Sequence, residues 1–275
     1  MKTLRAASLF VYDWGERGDA AVLYWDGLGG TGLHANEIAP ILVADHGLQV
    51  VAPDAPGHGR SAALPADGYR PSHLAEAATR LLDELGVEQV HFVGFSWGAR
   101  VGCSFAARFP ERTASLALVE GGTPWSYEPL DLAACVEEAR KELEKESFES
   151  WEAFFDYERE SLGRWTPAVA DAHEAVMREQ DERVVPILDA ETLGAIKYGN
   201  RLEPVTDTYS AIAEAGVPVL LLYASRPSRE EPVARFKTAL PNARVVPIPD
   251  AIHDLVSFAP DEVANAVGTF VADHR

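Results

Sequence analysis

Cysteine is scarce in this chain, with two residues among 275, and long uncharged apolar runs are missing altogether. Cys103 and Cys135 form no Cys-x-x-Cys pair and no metal-like cluster, which excludes a dithiol redox motif and a disulfide framework. No apolar run approaches the roughly 18 residues that a membrane span requires, and no charged-then-apolar leader opens the sequence. We therefore expect a cytoplasmic protein with two reduced thiols.

Basic residues are also few, at 24 against 43 acidic residues, so the formal net charge is −19. This balance disfavours nucleic acid and anionic membranes as partners and favours a small neutral molecule. Hydrophobic residues make up 47% of the chain, which is ample for a substantial core. We expect a monomer or a homodimer that acts on a small molecule.

Short β-rich runs alternate with helical stretches in most of the chain, which is the pattern of βα units around a parallel sheet. Glycines at 15 and 18 separate the first two runs, which we interpret as an opening antiparallel pair. The pattern predicts strands at 9–13, 20–25, 50–52, 90–94, 116–119, 217–223 and 245–248. It predicts helices at 34–45, 71–85, 97–109, 232–240 and 260–271.

The alternation breaks once, between the strand that ends at Val119 and the one that begins near residue 217. Residues 123–205 hold 20 acidic against 9 basic residues, with helical spacing of apolar positions and no convincing strand. Connections of this length are rarely structureless. We predict a core domain of residues 1–121 and 206–275 and a helical cap of residues 122–205.

A Gly-x-Ser-x-Gly run follows one predicted strand and precedes a helix, with Ser96 between Gly94 and Gly98. In this context the pentapeptide predicts a nucleophile elbow, a strained strand-to-helix turn that exposes the serine hydroxyl. A nucleophilic serine needs a general base, and His253 lies after the last predicted strand, where open α/β sheets place their sites. We therefore take Ser96 as the candidate nucleophile and His253 as its base.

The chain resembles the α/β-hydrolase-fold superfamily of serine esterases, lactonases and related enzymes with a helical cap, along its whole length. The elbow, the order of Ser96 before His253 and the loop Asp26-Gly27-Leu28-Gly29-Gly30 carry the resemblance, with the Gly57 to Ser61 run as a structural motif. It implies an eight-stranded, mostly parallel sheet with helices on both faces. It also implies an oxyanion hole formed by the backbone N–H groups of Leu28 and Trp97, which would stabilise the charge of a tetrahedral intermediate.

The triad acid is not in the family's most common position, because the stretch after the penultimate strand, residues 220–228, contains no aspartate. A second position known in the superfamily lies at the end of the strand after the elbow helix, where this chain has Glu120. We take Glu120 as the candidate acid. The alternatives are Glu230, Glu231, Asp250 and Asp254.

Asp26 occupies the position of the family's histidine before the oxyanion loop. An ionised, unpaired carboxylate there would oppose a developing oxyanion, so it must be protonated, be turned toward a donor or mark a changed function. Of these we expect the second. Candidate residues for the substrate pocket are Asp26, Trp125, Trp151, Phe154 and Phe155.

A nucleophilic serine rather than an aspartate at the elbow disfavours epoxide hydrolase and haloalkane dehalogenase chemistry. The sequence favours a hydrolase of a carboxylic ester or lactone that works through an acyl-enzyme, with no metal and no cofactor. The same triad would serve thioester cleavage, acyl transfer, perhydrolysis or C–C bond hydrolysis. A non-catalytic ligand-binding protein on the same scaffold is a further alternative.

Overall fold

The computed structural model describes residues 1–16 and 20–275, and eight of its strands form one twisted sheet. In chain order the strands are β1 (Lys2–Ala6), β2 (Leu9–Trp14), β3 (Ala20–Trp25), β4 (Leu48–Pro53), β5 (Val90–Phe95), β6 (Thr113–Val119), β7 (Met177–Gln180), β8 (Arg183–Pro186), β9 (Val219–Ser225) and β10 (Arg244–Pro249). The order across the sheet is β1-β2-β4-β3-β5-β6-β9-β10, with β2 antiparallel to both of its neighbours. The predicted eight-stranded, mostly parallel sheet is confirmed.

Helices cover both faces of this sheet. They are α1 (Ala39–His46), α2 (Pro71–Leu85), α3 (Trp97–Arg108), α4 (Leu132–Lys145), α5 (Trp151–Leu162), α6 (Pro167–Glu174), α7 (Ala190–Leu202), α8 (Tyr209–Glu214), α9 (Pro227–Ala239), α10 (Leu255–Phe258) and α11 (Pro260–Ala272). Leu74, Phe105 and Phe236 bury α2, α3 and α9 against one face, while Leu42 and Val267 bury α1 and α11 against the other. Within residues 1–16 and 20–275, no helix has the length and apolarity of a membrane span.

The predicted antiparallel pairing of the first two runs is wrong. β2 pairs with β1 and with β4, whereas β3 lies in the middle of the sheet and runs parallel to β4 and β5. β3 is buried along nearly its whole length, as a central strand must be, because it is covered on both faces. Gly18, one of the two glycines of the expected turn, lies outside the described residues.

The segment 122–205, called the inserted segment below, is not purely helical. The strands β7 and β8 form an antiparallel hairpin within it, which corrects the expectation of no strand there. Asp181 and Glu182 make its turn with φ values of 51° and 61°, the left-handed conformation of a two-residue hairpin loop. The strands are four residues long and β7 is mostly exposed, so they show little of the apolar alternation that predicts a strand.

The predicted helix at 34–45 is interrupted. A 3₁₀ helix occupies Gly32–Glu37, and α1 follows it at Ala39–His46. The 3₁₀ turn lies close to the carboxyl ends of the central strands, because the N–H of Gly32 donates to Asp54 just after β4 (2.9 Å). The predicted helix at 232–240 begins five residues earlier, and Pro232 lies inside α9.

Candidate active site

Ser96 lies at the turn between β5 and α3, with φ of 50° and ψ of −111°. L-residues rarely adopt this conformation, because the side chain crowds the adjacent backbone. The backbone N–H of Ser96 donates to the carbonyl oxygen of Val119 in β6 at 2.9 Å, which fixes the turn to the neighbouring strand. The hydroxyl is thereby directed into a cleft above the sheet.

The glycines on either side of this turn are required by close backbone contacts. A Cβ on Gly94 would lie 2.4 Å from the carbonyl oxygen of Gly98 in α3. A Cβ on Gly98 would lie 2.0 Å from the carbonyl oxygen of Trp25 in β3. Both distances are far below van der Waals contact, so the tight packing of α3 on the sheet depends on glycine at both positions.

The imidazole of His253 reaches Ser96 from the loop between β10 and α10. Its Nε2 lies 2.8 Å from the Ser96 Oγ, within hydrogen-bond distance. The ring packs against Phe95 with a centroid separation of 5.5 Å, while 56% of the side chain is exposed to the cleft. The structure thus brings the predicted serine and histidine together across 157 residues of chain.

Glu120 follows β6 with a φ of 47°, and its side chain is buried. Its Oε1 lies 3.7 Å from the Nδ1 of His253, slightly beyond a direct hydrogen bond. The N–H of Ala224 donates to Oε2 at 2.6 Å, and the guanidinium of Arg226 donates to Oε1 at 2.8 Å. Arg229 approaches the same oxygen to 3.4 Å.

The surroundings of Glu120 favour its ionised form. Burial alone would raise the pKa of this carboxyl, but the nearby imidazole of His253, the Ala224 N–H and the two arginines lower it below its ordinary value. Among the residues that the structure describes, Glu120 is the acidic residue within 4 Å of the His253 imidazole.

The alternative acids lie elsewhere. Glu230 and Glu231 are on α9, where Glu231 is 3.5 Å from Arg235. Asp250 directly follows β10 and adopts a φ of 54°, and the ion pair found for His253 among the described residues is with Glu120 rather than with Asp250. Asp254 caps α10 and faces His34.

The loop from Asp26 to Gly30 lies beside the elbow. A Cβ on Gly27 would lie 3.3 Å from the Ser96 Cβ, and Leu28 lines the same cleft as Ser96 and His253. Trp97 is the first residue of α3, so its N–H has no acceptor within the helix. In the part of the chain described, no turn or loop carbonyl accepts from the N–H of Leu28 or of Trp97. Both N–H groups therefore stay candidate donors for a carbonyl oxygen bound in the cleft.

Asp26 is buried and directed toward two donors. Its Oδ1 accepts from the Tyr24 hydroxyl at 2.8 Å and from the Nδ1 of His34 at 2.9 Å. A Cβ on Gly30 would lie 2.0 Å from the other oxygen, so the glycine at this position makes room for the carboxylate. Tyr24 lies in β3, whose burial fixes Asp26 at the end of the strand.

The sequence around His34 indicates no function for this residue, yet His34 lies at the centre of a charged cluster. Its Nε2 lies 3.2 Å from Asp254 Oδ1 and 2.9 Å from the Ser257 Oγ. Burial alone would lower the pKa of His34, but the carboxylates of Asp26 and Asp254 raise it well above its usual value. Burial would raise the pKa of Asp254, but His34 and His173 hold it well below its usual range.

His173 completes this cluster from α6 of the inserted segment. Its Nδ1 lies 2.9 Å from Glu158, and its Nε2 lies 3.7 Å from Asp254 Oδ2. Burial would lower the pKa of His173, but the hydrogen-bonded carboxylates of Asp254 and Glu158 raise it. Residues 34, 173 and 254 are too far apart in the sequence for any motif to have linked them.

The cleft above Ser96 is a cavity of about 620 Å³ between the core sheet and the inserted segment. Its apolar lining comes largely from that segment and includes Leu143, Phe148, Phe154, Met177, Leu188 and Leu193. The charged side chains that line it are mainly acidic, with Lys145 as the lysine among them. The lining therefore combines an apolar wall with mainly acidic charged side chains.

The predicted pocket residues divide into two sets. Asp26 and Phe154 line the cavity. Trp151 and Phe155 stack on each other with centroids 5.7 Å apart and pack against Phe154 from outside the lining. Trp125 is 63% exposed and lies outside the described lining. Trp151 and Phe155 therefore contribute to packing within the inserted segment rather than to the pocket wall.

Comparison with known proteins finds one matching family model and several partial relatives. The model of a family described as alpha/beta hydrolase fold matches residues 20–147. A curated relative, the 2-hydroxy-6-oxo-6-phenylhexa-2,4-dienoate hydrolase of Burkholderia cepacia, is 35% identical over 109 residues, which are 38% of this chain and 37% of that protein. The chain spans less than half the length of the curated relatives it matches.

Solved structures match over nearly the full length. The E-2-(acetamidomethylene)succinate hydrolase structure has a TM-score of 0.77 and 20% identity, and covers 98% of this chain and 99% of its own. The enol-lactonase of Burkholderia xenovorans has a TM-score of 0.71 and 19% identity, with 98% and 100% covered. At these identities the likeness concerns the fold. The sheet order, the elbow and these neighbours give the chain the α/β-hydrolase fold, and residues 20–147 match the family model of that fold.

Proposed function

We propose that this protein is a serine hydrolase that cleaves a carboxylic ester or lactone of a small apolar or neutral molecule. The observation that carries the proposal is the 2.8 Å contact between the Ser96 Oγ and the His253 Nε2 at the foot of an apolar cavity. An unassisted hydroxyl is a poor nucleophile, and an imidazole at this distance is the base that it requires.

The reaction follows from this geometry. The Ser96 Oγ attacks the carbonyl carbon while His253 takes its proton, and the negative charge on the carbonyl oxygen is stabilised by the N–H groups of Leu28 and Trp97. The intermediate collapses as His253 returns the proton to the departing alcohol. Water, deprotonated by His253, then attacks the acyl-enzyme, and the acid leaves with Ser96 restored.

Glu120 is the proposed orienting acid. Its ionised carboxylate near Nδ1 favours the tautomer that leaves Nε2 free to accept the serine proton, and it stabilises the imidazolium that forms. The separation of 3.7 Å would need to shorten by less than 1 Å for a hydrogen bond, and such contacts often tighten when substrate binds.

The inserted segment is the proposed cap. Its apolar side chains form the cavity wall opposite Ser96, so they would contact the acyl or alcohol group of a substrate. Leu28 of the oxyanion loop packs against Ala139, Leu188 and Leu193 of the segment. A substrate that contacts the segment would therefore also contact the residues next to the oxyanion loop.

A second candidate is C–C bond hydrolysis with the same residues. The Burkholderia cepacia relative is named for a dienoate substrate that has no ester bond, so its hydrolysis must break a C–C bond. That substrate carries a carboxylate, whereas Glu142, Glu146 and Glu158 line this cavity together with Lys145. The acidic lining favours the neutral ester over an anionic dienoate.

The decisive experiment combines covalent labelling with turnover. A p-nitrophenyl ester should give a burst of one equivalent of product, and a serine-directed phosphonate should add one mass label to the wild-type protein. Ser96→Ala should abolish both, while Ser228→Ala, an exposed serine on α9, should leave both unchanged. Labelling or turnover that survives Ser96→Ala would refute the proposal.

Substrate choice is tested with the same protein. The ratio of kcat/KM for short acyl esters and lactones over that for 2-hydroxy-6-oxo-dienoates should be well above one. A ratio below one would assign the protein to C–C bond hydrolysis instead.

A further inference from the structure

Three side chains at the edge of the cavity have the composition and spacing of a metal-binding site. Each of His34, His173 and Asp254 offers one potential ligand atom, and these three atoms all lie within 4.8 Å of one another. We propose that these three residues bind a divalent transition-metal ion, with Zn²⁺ as the best match to the donor set. Two imidazoles and one carboxylate, with a further position open to water, are a frequent zinc coordination.

The distances require little rearrangement. Zinc bonds of about 2.0–2.1 Å in a tetrahedral arrangement place neighbouring ligand atoms about 3.3 Å apart. The Nε2 of His34 is 3.2 Å from Asp254 Oδ1, and the Nε2 of His173 is 3.7 Å from Asp254 Oδ2. Both imidazoles therefore already face the two oxygens of one carboxylate, and a bound ion would replace these direct contacts together with the 2.9 Å contact between the His34 Nε2 and the Ser257 Oγ.

The surroundings of the two histidines fit a metal site in a second respect. Each ring uses its Nδ1 to contact a separate carboxylate at 2.9 Å, Asp26 for His34 and Glu158 for His173. This directs both Nε2 atoms toward Asp254. A carboxylate behind each coordinating histidine fixes the tautomer and raises the basicity of the metal-bound nitrogen.

The charge balance also favours an ion. Asp26, Asp254 and Glu158 bring three carboxylates around two imidazoles, and Asp26 is anchored by the hydroxyl of Tyr24. Three carboxylates around two imidazoles make the cluster acidic in composition, which is an environment that suits a bound cation.

The position of the site indicates its role. His34 and Asp254 belong to the core, whereas His173 and Glu158 lie on α6 and α5 of the inserted segment. A metal ion would therefore join the segment to the core at the border of the cavity. We infer a structural clamp that holds the segment over the cavity, and the site does not involve Ser96.

Direct binding tests the proposal. Protein dialysed against EDTA and then against metal-free buffer is titrated with Co²⁺ and, separately, with Zn²⁺, with stoichiometry from calorimetry. Wild-type protein should bind one equivalent, and bound Co²⁺ should give the visible absorption of a tetrahedral or five-coordinate site. Zn²⁺ should also raise the Tm, because only the folded state holds the complete site.

Variants separate this site from surface histidines. His173→Ala should weaken Zn²⁺ binding by at least 100-fold, and Glu158→Gln by about 10- to 100-fold through the lost orientation of His173. His73→Gln, on α2 away from the cluster, should bind as wild type does. Ser96→Ala should also bind as wild type does, which keeps the result independent of the proposed hydrolase.

Two outcomes would overturn the proposal. One is a wild-type protein that binds neither ion below 100 µM, in which case the cluster is an ion-pair network alone. The other is an affinity that His173→Ala leaves unchanged, which would place the ion elsewhere.

Discussion

Glu120 and His253 lie 3.7 Å apart between Oε1 and Nδ1, while Arg226 and Arg229 contact the same glutamate oxygen. The Glu120 carboxylate therefore interacts with one imidazole and two guanidinium groups at the same time. The His253 imidazole, the Ala224 N–H and the two arginines together lower the pKa of this carboxyl, and the Ala224 N–H also fixes its direction. Residues of β9 and α9, in addition to the end of its own strand β6, therefore hold Glu120 in place.

The first prediction concerns this acid. Glu120→Gln should reduce the acylation rate with an activated ester by about 10³- to 10⁴-fold, because the amide cannot stabilise the imidazolium. Stopped-flow measurement of the burst phase gives the rate. Glu230→Gln, on α9 at an alternative position for the acid, should remain within about twofold of wild type. A normal burst from Glu120→Gln, or a collapsed one from Glu230→Gln, would move the acid role away from Glu120.

The second prediction concerns the elbow glycines. Gly98→Ala should lower the free energy of unfolding by about 3 kcal/mol or more, since its Cβ would lie 2.0 Å from the Trp25 carbonyl oxygen. Gly86→Asn is the matched control, because Gly86 ends α2 with a φ of 69° and open space around it. That change should cost about 1 kcal/mol or less. Urea denaturation measures both, and equal losses would contradict the packing argument.

The third prediction separates Asp26 from the chemistry. Asp26→Asn should destabilise the fold by about 1–3 kcal/mol, because it places an unpartnered amide N–H₂ in a buried position beside His34. With metal chelated, turnover of an activated ester should stay within about tenfold of wild type, since the carboxylate faces Tyr24 and His34 rather than Ser96. Tyr24→Phe should show the same pattern with a smaller loss of stability. Turnover that falls by about three orders of magnitude while stability is unchanged would make Asp26 a participant in the reaction.

The fourth prediction concerns pH. His91 is buried in β5 and hydrogen-bonded to Ser115, and burial lowers the pKa of His91 to about 4, against about 6.5 in the unfolded chain. Between these values the unfolded state binds more protons, so this contribution to stability is full above pH 6.5 and falls as the pH drops toward 4.

His91→Gln should therefore flatten the dependence of unfolding free energy on pH by about 2 kcal/mol between pH 7 and pH 4.5. Denaturation curves at several pH values provide the measurement. His73→Gln, which makes the same chemical change at a less buried position, should leave the dependence as it is in wild type. Parallel curves for wild type and His91→Gln would show that His91 is not the group responsible.

Much of the fold could be predicted from local patterns. The bounds of β3 and α2 agree with the predicted runs at 20–25 and 71–85, because buried strands and amphipathic helices have a fixed periodicity. Pairing could not be predicted in the same way. β2 pairs antiparallel with β1 and with β4, which begins 34 residues beyond the end of β2, and only the packed sheet decides which strands are neighbours.

The sequence by itself determined the elbow at Ser96, since glycines on both sides of a serine between a strand and a helix are a local requirement of backbone geometry. It also determined His253, because the end of the last strand fixes where that loop must lie. Tertiary structure alone decided the rest of the site. Of the five candidate acids, side-chain direction brings Glu120 within 4 Å of the His253 imidazole, and chain folding brings His34, His173 and Asp254 together. Contacts among distant residues follow from three-dimensional packing and leave no periodic trace in the chain.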